Sequence, residues 1–294
     1  MIGPGTRTVW VLGSPLGHTL SPVMHNAAYR AMGLDLVYLP ARVGSRDLRA
    51  ALEGLSVLGA VGCNLTLPLK QAALGLMTRL EPPAAELGAV NTVRFEGRSR
   101  VGFNTDAQGW LRSWDEEVGQ PLEGRPVLLL GAGGAARAVA WALASRRVAR
   151  IQVVNRDSER ARRLVASLAR TEVPCRVGAV EFEPDMVVVQ ATSVGMVPGD
   201  DATCLEWPEE VPPGVVACDL VYRPRQTRFL REACQRGVRT LGGLGMLVHQ
   251  AALAIEVFTG QSPCQALLRR VAEEALSSDR CTAPGVDPGC ADGC

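Results

Sequence analysis

Lysine is almost missing from this chain of 294 residues: of its 31 lysine and arginine residues, only Lys70 is a lysine. Arginine holds its proton under all ordinary conditions, whereas a primary amine is compact and can exchange one. The single position that keeps lysine is therefore a candidate for chemistry. Histidine is scarce too, at positions 18, 25 and 249. His25 and His249 are expected to be structural. The nine cysteines (63, 175, 204, 218, 234, 264, 281, 290 and 294) are odd in number and form no CxxC pair. This argues against a disulfide framework and a zinc site, and no metal is expected. No stretch of 18 or more uncharged apolar residues marks a membrane helix. Residues Met1 to Gly5 lack the basic-then-apolar pattern of a secretion signal, so a cytoplasmic protein is expected. An excess of one charge is also absent. Against the 31 basic residues stand 30 acidic ones, and the net charge of +1 gives no pull toward nucleic acid or an anionic membrane. Aromatic residues make up only 4% (five Trp, three Tyr, five Phe), which weighs against a large aromatic-lined slot.

What remains is the composition of a globular protein, 47% hydrophobic and 21% charged, with a length that suits two domains. The first hundred residues read as mixed α/β. Strands are expected at 8–12, 36–39, 60–65, 89–95 and 100–103, and a helix opens at Ser21-Pro22, with Ser21 as its N-cap, Pro22 at its first position and Val23, Ala27, Ala28 and Ala31 as its apolar face. A short helix is expected at 47–55 and a longer one at 106–117. Beyond a Gly-rich break near 119–124 the pattern becomes strand–helix alternation. Strands are expected at 126–130, 150–155, 186–190 and 215–218, and helices at 134–145 and 157–169. Continuous apolar strands between helices indicate a parallel sheet covered on both faces. Helices at 245–258 and 263–277 follow, and the Gly-, Pro- and Cys-rich residues 279–294 are expected to form a disordered tail. The fold class is thus two-domain α/β. A mixed α/β unit (1–105) precedes a second, Rossmann-type and doubly wound unit (106–244).

The strand Val127–Leu130 runs directly into Gly131-Ala132-Gly133-Gly134-Ala135-Ala136 and then a helix. Gly131 permits a tight turn, and Gly133 lets backbone approach a pyrophosphate at the helix N-terminus. Ala136 permits close helix–strand packing. The next strand ends at Asn155-Arg156, where an NAD site ordinarily places an acid. Arg156 and Arg160 instead suit a 2′-phosphate, so NADP is favoured. Asp157 lies between them, either as the cap of the following helix or as a charge that weakens this preference.

Polar residues gather where the early strands end: Asn64 and Thr66, Asn91-Thr92, and Asn104-Thr105-Asp106, with Lys70 four residues beyond Thr66. Adjacent strands bring their ends together, so these groups suit a crevice for a small polyhydroxylated ligand. Taken singly, each is also ordinary turn or cap chemistry.

In this order the motifs resemble the shikimate dehydrogenase family, up to about residue 278. The matching segments include Gly13-Ser14-Pro15, Thr19 to Asn26, Asn64 to Lys70, Gly88 to Thr92, Gly102 to Asp106, Gly131 to Arg137, Ala191 to Met196, Asp219 to Pro224 and Gly243 to Ala251. The resemblance implies reversible NADPH-dependent reduction of 3-dehydroshikimate to shikimate in aromatic amino acid (chorismate) biosynthesis. It also implies that residues 1–105, completed by helices within 245–278, form the substrate domain and that 106–244 form the nucleotide domain. Lys70 and Asp106 would form the catalytic pair. It further implies substrate contacts from Thr19, Ser21, Asn64, Thr66, Asn91, Tyr222 and Gln250. Cofactor contacts would come from Gly131, Ala132, Gly133, Gly134, Ala135, Asn155, Arg156, Arg160, Thr192, Ser193 and Gly243. The chain departs from the family pattern at Thr19 (usually Ser), Asp157 (commonly Thr), Gln190 (commonly Asn) and Gly242 (commonly Asp).

The chemistry suits the residues independently. Hydride reaching a ketone leaves a developing alkoxide, which an ammonium stabilises and protonates, while an acidic neighbour holds that amine in place. Three alternatives stand beside this reading: a quinate/shikimate dehydrogenase using NAD or both cofactors, a folate-type two-domain NADP enzyme, and a non-catalytic dinucleotide-binding module. Small molecules are the expected partners, and a homodimer is left open.

Overall fold

The computed structural model describes residues 2–17 and 19–278; the tail expected at 279–294 and His18 lie outside the described residues. The N-terminal part runs β1 (Arg7–Gly13), α1 (Ser21–Ala31), β2 (Leu36–Arg42), α2 (Leu48–Val57), β3 (Gly62–Leu65), α3 (Leu69–Ala72), β4 (Arg79–Leu80), α4 (Ala84–Leu87), β5 (Thr92–Glu96) and β6 (Ser99–Phe103). Its sheet has the order β2-β1-β3-β5-β6-β4. The β1–β2, β1–β3 and β4–β6 pairs are parallel, whereas β3–β5 and β5–β6 are antiparallel.

Helix α5 (Asp106–Glu117) leads to the second part. This comprises β7 (Pro126–Leu130), α6 (Gly134–Ser145), β8 (Arg150–Val154), α7 (Ser158–Ser167), β9 (Cys175–Val177), β10 (Val187–Gln190), β11 (Val216–Asp219), α8 (Arg228–Gln235) and β12 (Arg239–Leu241). The strands order as β12-β11-β10-β7-β8-β9 with every pair parallel. Strand order reverses between β7 and β10, the switch point where open α/β sheets receive nucleotides. Helices α9 (Gly243–Thr259) and α10 (Gln265–Ser278) then return to the first sheet. Val248, Ile255 and Leu268 share a core with Val9, Met24 and Tyr38. Helix α5 buries Trp110 and Trp114 in the second core beside Ala136 and Val139. No helix of the described residues is long and apolar enough to cross a membrane.

The face of α1 differs from the expected one. Met24, His25, Ala28 and Tyr29 are buried, while Val23 and Ala31 are exposed. Counting only aliphatic residues overlooked the larger area that Met24 and Tyr29 remove from water. Ser21 is the first helical residue rather than the cap, and Leu20 occupies the cap position.

Candidate active site

Strand register assembles the polar cluster. Asn64 lies opposite Thr92, and Thr92 lies opposite Phe103. The end of β3, the entry to β5 and the exit from β6 therefore meet at one edge. The side chain of Asn104 accepts from the backbone N–H groups of Asp106 (3.0 Å) and Ala107 (3.2 Å), starting α5 with a carboxylate in its first turn. Asp106 Oδ2 receives Lys70 Nζ at 2.6 Å. The pair is mostly enclosed, with the lysine side chain 15% and the aspartate 5% exposed, so the amine still reaches the open cleft.

A cavity of about 170 Å³ lies in front of this pair. Thr19, Ser21, Asn64, Thr66, Lys70, Asn91, Asp106, Tyr222 and Gln250 all line it. The nine residues expected to touch substrate are thus brought together from both ends of the chain. Ala135, Leu220 and Gly243 line it from the nucleotide side, and Met246 and Leu247 add an apolar wall from α9. Thr19 Oγ1 lies 3.3 Å from Ser21 Oγ, presenting two neighbouring hydroxyls. Burial pushes the Tyr222 phenol above its usual range, so it is a neutral O–H group. Asn91 is at the cleft edge, but its amide is engaged by Thr105, Asp106 and Thr92.

The glycine turn follows β7. Gly131 has φ +115°, and a Cβ there would lie 3.0 Å from the Ala191 carbonyl oxygen and from Thr192 Cγ2. Only glycine suits that position. A Cβ on Gly134 would sit 3.2 Å from Lys70 Cδ, so the turn and the lysine stem are in close approach. A second cavity, about 320 Å³, is lined by Ala132, Gly133, Gly134, Arg137, Arg160, Arg163, Lys70 and Gln71. The open backbone at Gly133, the helix N-terminus and three guanidinium groups fit a phosphate-bearing dinucleotide. Arg137 Nε is buried with no hydrogen-bond partner among the described residues, and burial pushes its guanidinium pKa down. Such a group suits an anion.

Other expected cofactor contacts are placed differently. Arg156 is exposed just past β8 and lines neither cavity. Asn155 donates to the Asp157 carbonyl at 2.8 Å. Asp157 caps α7, accepting from Glu159 N (3.0 Å) and Arg160 N (3.1 Å), and pairs with Arg160 Nε at 3.3 Å. Thr192 lies against the glycine turn. Its backbone N–H is held by the buried Gln190 side chain, which also donates to the Val194 carbonyl at 2.8 Å. Ser193 is exposed and lines neither cavity. Arg137 and Arg163 were not singled out from the sequence. The available signal was spacing: Arg163 follows Arg160 by three residues on one helical face, and Arg137 stands in the first turn after the glycines.

Of the other groups, His249 Nε2 donates to Glu116 Oε2 at 2.7 Å, tying α9 to α5. Among the described residues no His, Cys, Asp and Glu cluster could hold a metal ion. Asp219, at the end of β11, is buried and accepts from Thr227 Oγ1 (2.6 Å) and Val221 N (2.9 Å). Burial nevertheless pushes its carboxyl up to about 6. Between an unfolded value near 3.8 and about 6, the folded protein holds a proton that the unfolded chain has lost. Stability contributed by this group therefore falls as pH rises through that window. Asp219→Asn should gain roughly 2–3 kcal/mol relative to wild type between pH 4 and pH 7. Thermal melts of both proteins across that range check this, and a pH-independent difference refutes it.

Comparison with known proteins gives a consistent picture. Residues 11–93 match the family described as shikimate dehydrogenase substrate binding domain, residues 115–190 match shikimate / quinate 5-dehydrogenase, and residues 243–273 match shikimate 5′-dehydrogenase C-terminal domain. A shikimate dehydrogenase (NADP(+)) of Moorella thermoacetica is 43% identical over 281 residues, spanning 93% of this chain and 95% of its own. One from Methanothermobacter thermautotrophicus is 39% identical over 285 residues, spanning 95% and 100%. The crystal structure of shikimate 5-dehydrogenase from Thermus thermophilus, in complex with NADP(H) and shikimate, superposes with a TM-score of 0.79 at 38% identity and covers 92% of this chain and 100% of that one.

Proposed function

The chain belongs to the shikimate dehydrogenase family, and from that premise we propose that it interconverts 3-dehydroshikimate and shikimate with NADP(H), using Lys70 as acid and base. The observation that carries this is the Lys70–Asp106 contact at 2.6 Å, facing a cleft closed on its other side by the nucleotide unit. NADPH, when bound, supplies the hydride for the ketone carbon. Lys70 Nζ then stabilises the oxygen as it gains charge and hands it a proton; in oxidation it takes that proton back. Asp106 Oδ2 keeps the amine aimed into the cleft. The hydroxyls of Thr19 and Ser21 donate to the substrate carboxylate. Asn64, Thr66, Tyr222 and Gln250 meet the ring hydroxyls, and Met246 and Leu247 exclude water from the reacting face.

Arg160, Arg163 and Arg137 would hold the cofactor phosphates, with Gly131 to Ala135 and Gly243 against its backbone. Arg156, Asn155, Thr192 and Ser193 form the outer rim of that site. In this reading residues 1–105 and 245–278 form the substrate domain and 106–244 the nucleotide domain. The site is built from one chain, so it does not require a homodimer, and the enzyme works in the cytoplasm as part of aromatic biosynthesis.

The test is spectrophotometric. NADP+ reduction with shikimate should exceed that with quinate, and NADP+ should be preferred over NAD+. No turnover of shikimate removes the assignment. Equal turnover of quinate, or a preference for NAD+, favours the quinate-type alternative.

A further inference from the structure

We propose that Asp219, at the buried end of β11, is a positioning residue for Tyr222: its carboxylate sets the loop that brings the Tyr222 phenol to the substrate cavity. The proposal rests on the reading of the cleft as a dehydrogenase site. Asp219 is buried and takes no part in the proton transfer. Its Oδ1 accepts from Val221 N at 2.9 Å, and its Oδ2 accepts from Thr227 Oγ1 at 2.6 Å. Val221 directly precedes Tyr222, and Thr227 is the cap at which α8 begins. One side chain thus ties the outgoing end of the loop to its return.

Both donors have fixed directions. A backbone N–H can only donate. The Thr227 hydroxyl already accepts from Leu230 N at 3.3 Å, which leaves its proton for Asp219. Two donors that converge in this way need two acceptor atoms, and a carboxylate supplies them together. Losing it would leave two enclosed polar groups without partners, a state that favours rearrangement of the loop.

The same short stretch is held from its other side. The Val221 carbonyl accepts from Gly243 N at 3.3 Å, and Leu220 N donates to the Gln190 carbonyl at 2.9 Å. The Arg223 carbonyl accepts from Val197 N at 3.2 Å. The peptide groups on either side of Val221 are therefore tied, one to Asp219 and the other to the start of α9. The second of them fixes the direction in which the Tyr222 side chain leaves the backbone. Gly243 allows the loop to sit this low, because a Cβ there would overlap the Leu220 carbonyl oxygen.

Tyr222 leaves the loop to pack against the core shared by the first sheet and helices α9 and α10, and it lines the cavity beside Thr19 and Gln250. It crosses from the edge of the parallel sheet, whereas Ser21, Asn64 and Thr66 belong to the first part of the chain. The Asp219 carboxylate consequently couples one substrate contact to the nucleotide sheet. Without it the phenol is free to leave the cavity, while Lys70 and Asp106 keep their own contact. The loss falls on substrate binding and spares the proton-transfer pair.

The test uses Asp219→Ala, Asp219→Asn, Tyr222→Phe and the double variant Asp219→Ala/Tyr222→Phe in the full chain at pH 8, where the Asp219 carboxyl is ionised. Asp219→Ala should raise KM for shikimate roughly tenfold, the weight of one hydrogen bond, with kcat within about threefold. Asp219→Asn keeps an oxygen for Val221 N–H and turns its NH₂ to Thr227 Oγ1, so it should recover most of the affinity. Tyr222→Phe should raise KM by a similar factor, and the double variant should be no worse than the larger single effect. The chain has three tyrosines, so ¹³C-tyrosine labelling gives few ring resonances, and Tyr222→Phe assigns the one in question. Asp219→Ala should move it. A merely structural role would lower the melting temperature, leave that resonance in place and multiply with Tyr222→Phe. Wild-type KM in folded Asp219→Ala, or an Asp219→Ala effect that persists in full beside Tyr222→Phe, overturns the proposal. If Asp219→Ala fails to fold, Thr227→Val decides: it removes the Oδ2 partner, and it should raise KM and move the Tyr222 resonance, whereas Thr227→Ser should do neither. An unmoved resonance with wild-type KM in Thr227→Val overturns the proposal equally. If wild-type protein fails to turn over shikimate, the dehydrogenase reading is lost, and the resonance still decides whether Asp219 positions Tyr222.

Discussion

Replacing Lys70 with alanine is expected to lower turnover of shikimate by about 10²–10⁴-fold, the usual weight of general acid–base catalysis, with a modest change in substrate affinity. The amine is the group facing the cleft that can both stabilise an oxyanion and exchange a proton with it. The variant also leaves the enclosed Asp106 carboxylate without its 2.6 Å partner. Removing one member of such a pair destabilises the fold, so circular dichroism must accompany the kinetics. Lys70→Arg separates the two effects. A guanidinium keeps a positive charge near Asp106 but does not readily give up a proton, and the close approach of Gly134 to the lysine stem leaves little room for its fork. Turnover should therefore fail in Lys70→Arg while much of the thermal stability returns. Near-normal turnover in either variant ends the assignment of Lys70 as acid and base.

The second large effect is expected at the nucleotide side. Arg160 and Arg163 line the same cavity as the glycine turn, whereas Arg156 lines neither cavity. The double variant Arg160→Ala/Arg163→Ala should raise KM for NADP+ by about 10–100-fold, since a charge-assisted hydrogen bond is worth roughly 1.5–3 kcal/mol. KM for NAD+, which lacks the 2′-phosphate, should barely change. Arg156→Ala should have the smaller effect. The Asp157–Arg160 pair is largely exposed, at 50% and 70% for the two side chains. Such a pair contributes little, so Asp157 does not prevent Arg160 from turning to a phosphate. Equal losses for both cofactors would show that these arginines serve folding or the pyrophosphate instead.

Much of this architecture was legible from residue pattern alone. The spans of α5, β7 and α6 were read to the residue, because each combines an uninterrupted apolar period with a boundary signal such as Asn104-Thr105-Asp106 or Gly131 to Gly134. Strands β4, β9 and β12, of two or three residues, are too short to display a period. Helix α8 was missed although its signal was present. Thr227 caps it by accepting from Leu230 N, and Phe229, Leu230 and Ala233 form its buried stripe. The pairing of Lys70 with Asp106 could be anticipated, since one lysine and one acid stood near strand ends. The contacts of Asn91 with Thr105, Asp106 and Thr92 could not. Its partners depend on how β3, β5 and the start of α5 align, and strand register is a tertiary property. Arg163 was passed over because helix α7 is rich in arginine, and only its packing beside the glycine turn distinguishes one guanidinium from the next.

The near absence of lysine has a practical meaning beyond mechanism. Apart from the chain's own α-amino end, an acylating or aldehyde reagent meets one aliphatic amine in this protein, and that amine lies between the two sheets. Covalent labelling of side-chain amines would thus report on a single address, and its protection by a bound ligand would read occupancy of the cleft directly, with only the α-amino end to subtract.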